Sequence, residues 1–157
     1  MLEVEVGKRL RELGKTLAVA ESCTGGLLAM RITEVPGASD YFLGGIVSYA
    51  NSAKERLLGV PEEVLAERGA VSSECARAMA LGVKRAFGAD YSLAITGIAG
   101  PGGGSPQKPV GLVYIALATP SGEVEVRQHR FSGSRQGIRW SATEAALSLL
   151  LSRIGPR

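Results

Sequence analysis

Glu21-Ser22-Cys23-Thr24-Gly25-Gly26 places two hydroxyls and a thiol side by side in a run of small residues. Each of the three is a possible nucleophile or acceptor, and small neighbours let a substrate approach the backbone closely. A nucleophile needs a base. The chain holds a single histidine, His129, so a Ser-His-Asp or Cys-His mechanism would have to rest on that one residue. Lysine can take the role when burial or a neighbouring cation lowers its pKa, and a serine paired with a lysine base is an established variant of the triad logic. Lys54 is the candidate. It stands five residues after Tyr49 in Ser48-Tyr49-Ala50-Asn51-Ser52-Ala53-Lys54, a strand-to-helix turn that can aim both side chains at one pocket.

A third segment, Thr96-Gly97-Ile98-Ala99-Gly100-Pro101-Gly102-Gly103-Gly104, is rich enough in glycine for its amides to form an anion nest or an oxyanion hole. Arg135 and Arg139, four apart on one helical face, suit phosphate or carboxylate recognition. Every one of these residues also has a plainer reading. Ser22 or Thr24 can simply cap a helix, and Lys54 can be a solvated helix lysine beside a half-buried Tyr49. The glycine segment can be a surface loop, and the arginines a solvated face. Cys23 and Cys75 read most simply as small buried apolar groups, although a helix N-terminus would lower the thiol pKa of Cys23. His129 falls in a charged hairpin strand and reads as an exposed edge residue. Residue types alone leave the choice open.

The elements that would position these residues follow from periodicity and punctuation. Leu2, Val6, Leu10 and Leu13 predict a first helix, stopped by Gly14. Strands are predicted at Thr16–Ala20, at Gly45–Tyr49 and at Tyr91–Thr96. Helices follow from Leu27, from an N-cap at Asn51, from Pro61 as a first helical residue, and from Ser72 or Ser73 to about Phe87. Val110–Ala118 and Val124–Phe131, joined by Pro120-Ser121-Gly122, predict a hairpin. Ser132 or Ser134 caps a last helix that turns Ile138, Ala142, Ala145 and Leu149 inward. Alternating strands and helices followed by a hairpin predict an α/β fold: three α/β/α layers around a mixed, mainly parallel sheet with a C-terminal β-hairpin.

Composition narrows the class. The chain has 157 residues, 45% apolar and 21% charged, which suits one folded domain spanning 1–157 and not a disordered one. No run of 18 apolar residues occurs, and the charged start lacks an apolar signal core, so no membrane partner and a cytoplasmic protein are expected. Two cysteines and one histidine nearly exclude a zinc site, and no metal is expected. The net charge is only +3, and aromatics are 5%, so there is no strong nucleic-acid signal. The excess is local: residues 127–157 hold six Arg against one acid, Glu144, which suits an anion site.

At AESCTGG (20–26), VSYANSAKERLLGV (47–60), GAVSSECARAMA (69–80), ITGIAGPGGGSPQKPVGLVY (95–114) and FSGSRQGIRWSATEAAL (131–147) the chain resembles the C-terminal domain of the CinA family, the nicotinamide-nucleotide amidase domain. The resemblance runs in order over nearly the whole chain. It lacks counterparts of the molybdopterin-binding-like domain of longer CinA proteins, so the stand-alone form is expected. The resemblance implies hydrolysis of nicotinamide mononucleotide (NMN) to nicotinate mononucleotide and ammonia, in pyridine-nucleotide recycling, without cofactor. It implies Ser22 as nucleophile, Lys54 as base, Tyr49 as relay or orienter, and Thr96 opening the glycine loop. Backbone groups of Thr24, Gly25 and Gly26, or of Gly97 and Gly100, would stabilise the oxyanion. Arg135, with Arg139 nearby, would hold the 5′-phosphate. One departure is Ala50-Asn51-Ser52 where Ser-Asn-Glu is more usual; another is the long glycine run at 102–104. The alternative is a non-catalytic nucleotide-binding module associated with competence or the DNA-damage response. A homo-oligomer is the expected assembly.

Overall fold

A computed structural model describes residues 1–155 of the chain. Five strands, β1 (Leu17–Glu21), β2 (Phe42–Val47), β3 (Tyr91–Gly97), β4 (Leu112–Ala118) and β5 (Val124–Arg130), form one sheet in the order β2-β1-β3-β4-β5. β1 pairs in parallel with β2 and β3, while β3–β4 and β4–β5 are antiparallel. β4 alone therefore runs against the other four, and β1, β2, β3 and β5 all end at the same edge. The expected mixed, mainly parallel α/β/α arrangement is what forms, with the C-terminal hairpin as β4–β5.

The two faces of the sheet differ in size of side chain, because successive residues of a strand point to opposite sides. Leu17 and Val19, Leu93 and Ile95, and Val113, Ile115 and Leu117 pack against α1 (Leu2–Leu13), α2 (Leu27–Thr33) and α6 (Arg135–Ile154). The centre of the other face is mostly alanine, at Ala18, Ala20, Ala94, Ala116 and Ala118, with Ile46, Val124 and Val126 toward its edges. It meets α5 (Ser73–Phe87), itself small-sided at Ala76 and Ala80, with α3 (Asn51–Leu58) and α4 (Glu62–Glu67) behind. Alanine against alanine lets α5 lie close enough for the Ser92 hydroxyl, buried in β3, to donate to the Ala80 carbonyl at 2.6 Å.

β1 leaves by α2 on the first face to reach β2 on one flank; β2 returns by α3–α5 on the second face to β3 on the other flank. The chain thus switches faces around β1, and the gap above the carboxyl ends of β1 and β3 is where such sheets open a crevice. On the first face Arg31 locks α1, α2 and α6 together. Its guanidinium, 2% exposed, donates to Glu3 at 2.9 Å, to Thr143 at 3.0 Å and to Glu144, and lies over the Trp140 ring at 4.1 Å.

Most expected elements form where the residues predict them. β2 begins at Phe42, earlier than the expected Gly45, because its register is fixed by β1: Leu17 pairs with Phe42 and Val19 with Gly45. Gly45 is needed there, since a Cβ would lie 2.8 Å from Val19 Cγ2. Ser72 and Ser134 cap α5 and α6 as expected, accepting from the Cys75 and Gly137 amides. Asn51 is not a cap but the first residue of α3, after Ala50, and Pro61 precedes α4 as its cap residue.

Gly82 decides how α3 is held. A Cβ there would lie 1.8 Å from the Leu58 carbonyl oxygen at the end of α3, a backbone atom that cannot swing aside. Gly82→Ala must push α3 from α5, a strain of about 1–3 kcal/mol, and Tm should fall by roughly 5–10 °C in a thermal melt. An unchanged Tm would show that the two helices separate freely.

Candidate active site

Ser22 follows β1 directly, and its amide donates to the Ile95 carbonyl of β3 at 3.0 Å. The Glu21 carbonyl accepts from the Ser48 amide beyond β2 at 2.8 Å, so the end of β1 stays zipped to both neighbours past the strands. Lys54 sits in the first turn of α3. Helical side chains lean back toward the N-terminus, which returns the amine to the turn it came from. Lys54 Nζ lies 2.7 Å from the Ser48 carbonyl, 3.0 Å from the Tyr49 carbonyl and 3.0 Å from Ser22 Oγ. The residue is 1% exposed, and no carboxylate forms an ion pair with it among the described residues.

Burial without a counter-charge disfavours the ammonium, so the Lys54 pKa is pushed below its ordinary value of 10.5. A neutral amine has two N–H groups and one lone pair. Donating to the two carbonyls leaves the lone pair for the Ser22 hydroxyl, which is the arrangement of a base beside its nucleophile. The thiols behave differently. Burial pushes Cys23 and Cys75 up to about 11, so neither ionises near neutrality. This corrects the idea that the helix start would activate Cys23: desolvation wins over the helix end.

Ser22, Cys23, Tyr49, Lys54, Thr96, Gly97, Gly100 and Arg135 line one cavity of about 260 Å3. Asn51, Ala70, Val71, Ile98, Ala99, Gly102 and Gly103 complete it. Among the described residues, Lys54 and Arg135 are its only basic members, and no carboxylate lines it. Tyr49 is 62% exposed at the mouth, and its hydroxyl meets Arg135 Nη2 at 3.3 Å, so its ring is turned to Arg135 while only its carbonyl touches Lys54. Arg135 Nη1 donates to the Gly100 carbonyl at 2.7 Å. The Thr96 hydroxyl, also in the wall, donates to the Ala70 carbonyl at 2.8 Å and so ties the approach to α5 onto β3. The amides of Cys23, Ala99 and Gly100 donate to no protein acceptor among the described residues, and each belongs to a lining residue.

Thr24, Gly25, Gly26 and Arg139 stand behind the cavity and do not line it. Thr24 is fully buried, and Gly25 and Gly26 take φ of +58° and +106°, a left-handed turn that glycine accepts freely. Arg139 donates Nε to the Cys23 carbonyl at 3.0 Å and Nη2 to the Thr24 carbonyl at 2.8 Å. Neither Ser22 nor Thr24 caps α2. The Glu21 carboxylate does, accepting from the Leu28 amide at 2.8 Å and the Ala29 amide at 3.0 Å. Sequence reasoning missed Glu21. The available signal was an acid six residues before a helix whose cap position is glycine. His129 is remote from the cavity, stacked on Phe131 at 5.0 Å. Among the described residues no three His, Cys, Asp or Glu side chains gather as metal ligands would, and no helix is long and apolar enough to cross a membrane.

The molecule is a three-layer α/β protein with a buried serine–lysine contact beyond the carboxyl edge of its sheet. Its relatives are specific. A sequence profile of the CinA C-terminal domain matches residues 1–154, and the chain belongs to that family. It is 56% identical over 153 residues to a CinA-like protein of Geobacter sulfurreducens, covering 98% of this chain and 37% of that protein. It is 60% identical over 149 residues to a Moorella thermoacetica protein named as competence-damage inducible, covering 95% of this chain and 36% of that one. The chain thus spans little more than a third of these relatives. The crystal structure of competence/damage inducible protein CihA from Agrobacterium tumefaciens superimposes with a TM-score of 0.94 at 41% identity, covering 96% of this chain and 92% of that one.

A sulfonyl fluoride tests the pair without any substrate: Ser22 Oγ attacks sulfur, fluoride leaves, and Lys54 takes the proton. The labelling rate of Ser22, followed by intact mass, should rise with pH through an ionisation below 10.5, because only the deprotonated amine accepts the proton. Lys54→Met should remove that limb and slow labelling about 100-fold or more. A pH-independent rate in the native protein would overturn the assignment.

Proposed function

We propose that the chain is an amidohydrolase acting on a small anionic carboxamide, with NMN as substrate and nicotinate mononucleotide and ammonia as products. The observation that carries this reading is the 3.0 Å approach of Lys54 Nζ to Ser22 Oγ, with the other two amine contacts taken by carbonyls. In the proposed reaction Lys54 removes the Ser22 proton directly, without passage through the Tyr49 hydroxyl. Ser22 Oγ attacks the carboxamide carbon, and the new oxyanion takes hydrogen bonds from free amides of Cys23 and of the Ala99–Gly100 segment. Lys54, now an ammonium, passes its proton to the nitrogen, the C–N bond breaks, and ammonia leaves an ester on Ser22. Water, deprotonated by the regenerated amine, hydrolyses that ester to the carboxylate and restores the hydroxyl.

A lining with the Arg135 guanidinium and no carboxylate among the described residues supports an anionic substrate. Arg135 is the group for the 5′-phosphate. It lines the cavity beside the exposed Tyr49, and a phosphate oxygen can replace the Tyr49 hydroxyl on Nη2. Thr24, Gly25, Gly26 and Arg139 are assigned to shaping the nucleophile's turn, and Thr96 to the wall.

Ammonia release from nicotinamide, its riboside and its mononucleotide is the direct test. NMN should be preferred, and chelator should have no effect. Ser22→Ala should lower kcat at least ~1,000-fold. Arg135→Gln should raise KM for NMN about tenfold to a hundredfold and leave the riboside unchanged. A rise in Tm with NMN but no ammonia would favour instead a non-catalytic nucleotide-binding module, the kind of role the relatives' competence and damage names suggest.

A further inference from the structure

We propose that Glu21 and Arg139 are positioning residues that grip the Ser22–Gly26 turn from opposite sides and so set the nucleophile against its base. The proposal rests on the Ser22–Lys54 reading above. Glu21 is 1% exposed, yet no cation pairs with it among the described residues; its two oxygens are spent on the Leu28 and Ala29 amides. A carboxylate buried beside the nucleophile and bonded only to backbone is costly unless those bonds hold it, and they fix the first turn of α2 relative to Glu21 itself. Ser22 is the next residue. Arg139 reaches in from α6 and takes the complementary groups, the carbonyls of Cys23 and Thr24, with two guanidinium nitrogens. The anion thus holds N–H groups beyond the turn, and the cation holds C=O groups within it.

Between the two grips lie Gly25 and Gly26, in left-handed conformations with little resistance of their own to bending. The sheet holds the Ser22 amide on the Ile95 carbonyl, while the turn sets the residue's other side, and a displacement of Oγ of the order of 1 Å can cost about a hundredfold in rate. Glu21→Gln keeps the shape but turns one acceptor into an NH2 group facing an amide donor. Arg139→Gln removes the fork; Arg139→Lys keeps the charge but cannot bridge two carbonyls in one plane.

The test is Ser22 labelling by a sulfonyl fluoride together with ammonia release from NMN, on the full chain below its melting transition. E21Q and R139Q should each slow labelling and lower kcat by about ten- to a hundredfold while KM stays within about threefold, since Arg135 is untouched. R139K should recover only part of the loss. Native rates in E21Q and R139Q, or full recovery in R139K, would overturn the proposal. If E21Q does not fold, the two Arg139 variants decide by the same criteria. A native protein that labels at Ser22 but releases no ammonia refutes the substrate alone, and the labelling rates then judge the grip. One that does not label at all refutes the pair and the grip together.

Discussion

A buried amine with no counter-ion is the constraint around which this molecule is arranged. Lys54 is as inaccessible as the leucines of the core, and transferring a charged ammonium there would cost several kcal/mol. The chain meets that cost by lowering the pKa, not by pairing the charge. A carboxylate at the same place would have stabilised the ammonium and destroyed the base. Carbonyls of Ser48 and Tyr49 do what a carboxylate cannot: they orient the amine without fixing a third proton on it. In the proposed reaction one residue thus combines the tasks that a histidine and its orienting acid share in a triad. The two nearby thiols fit the same logic, since both stay neutral at physiological pH.

The rest of the fold can be read as delivery of that amine. Lys54 lies in a short helix with no side-chain cap, and α3 is located by what presses on it from behind. α5 comes close because Gly82 has no side chain to strike the Leu58 carbonyl, and because α5 rests on the alanine face of the sheet. On the opposite face, the large aliphatic side chains and the Arg31 cluster fix α6, and α6 carries both Arg135 and Arg139. The cavity lies where four strands end and the crossovers diverge, so pieces of β1, β2, β3 and α6 meet there without any long excursion of the chain.

Much of this was legible in the residues. Strand and helix order, the hairpin, the capping serines Ser72 and Ser134, and the convergence of Ser22, Lys54, Tyr49, Thr96 and Arg135 all follow from pattern, turn chemistry and family resemblance. What escaped was set by contacts between distant segments. The start of β2 depends on pairing with Leu17, which no local propensity encodes in Phe42-Leu43-Gly44-Gly45. Arg135 and Arg139 share a helical face, but periodicity does not reveal that one reaches the cavity and the other the back of the turn. Glu21 reads in sequence as the first residue of the polar Glu21–Gly26 loop, because its partners, the Leu28 and Ala29 amides, belong to the next element.

In the proposed reaction Glu21 also bears on which way an anionic substrate lies. A strand-turn-helix at the carboxyl edge ordinarily offers anions the N–H groups of the helix start and the positive end of its dipole. Here the protein's own carboxylate has taken that place, so the first turn of α2 repels a second anion. With the glycine-loop amides assigned to the oxyanion, the group left for a second negative charge is the guanidinium of Arg135. In the proposed reaction, a substrate with its reacting carbon at Ser22 lies with its charged end toward Arg135 and Tyr49. In the proposed reaction, the same carboxylate that steadies the nucleophile's turn also keeps the phosphate away from it.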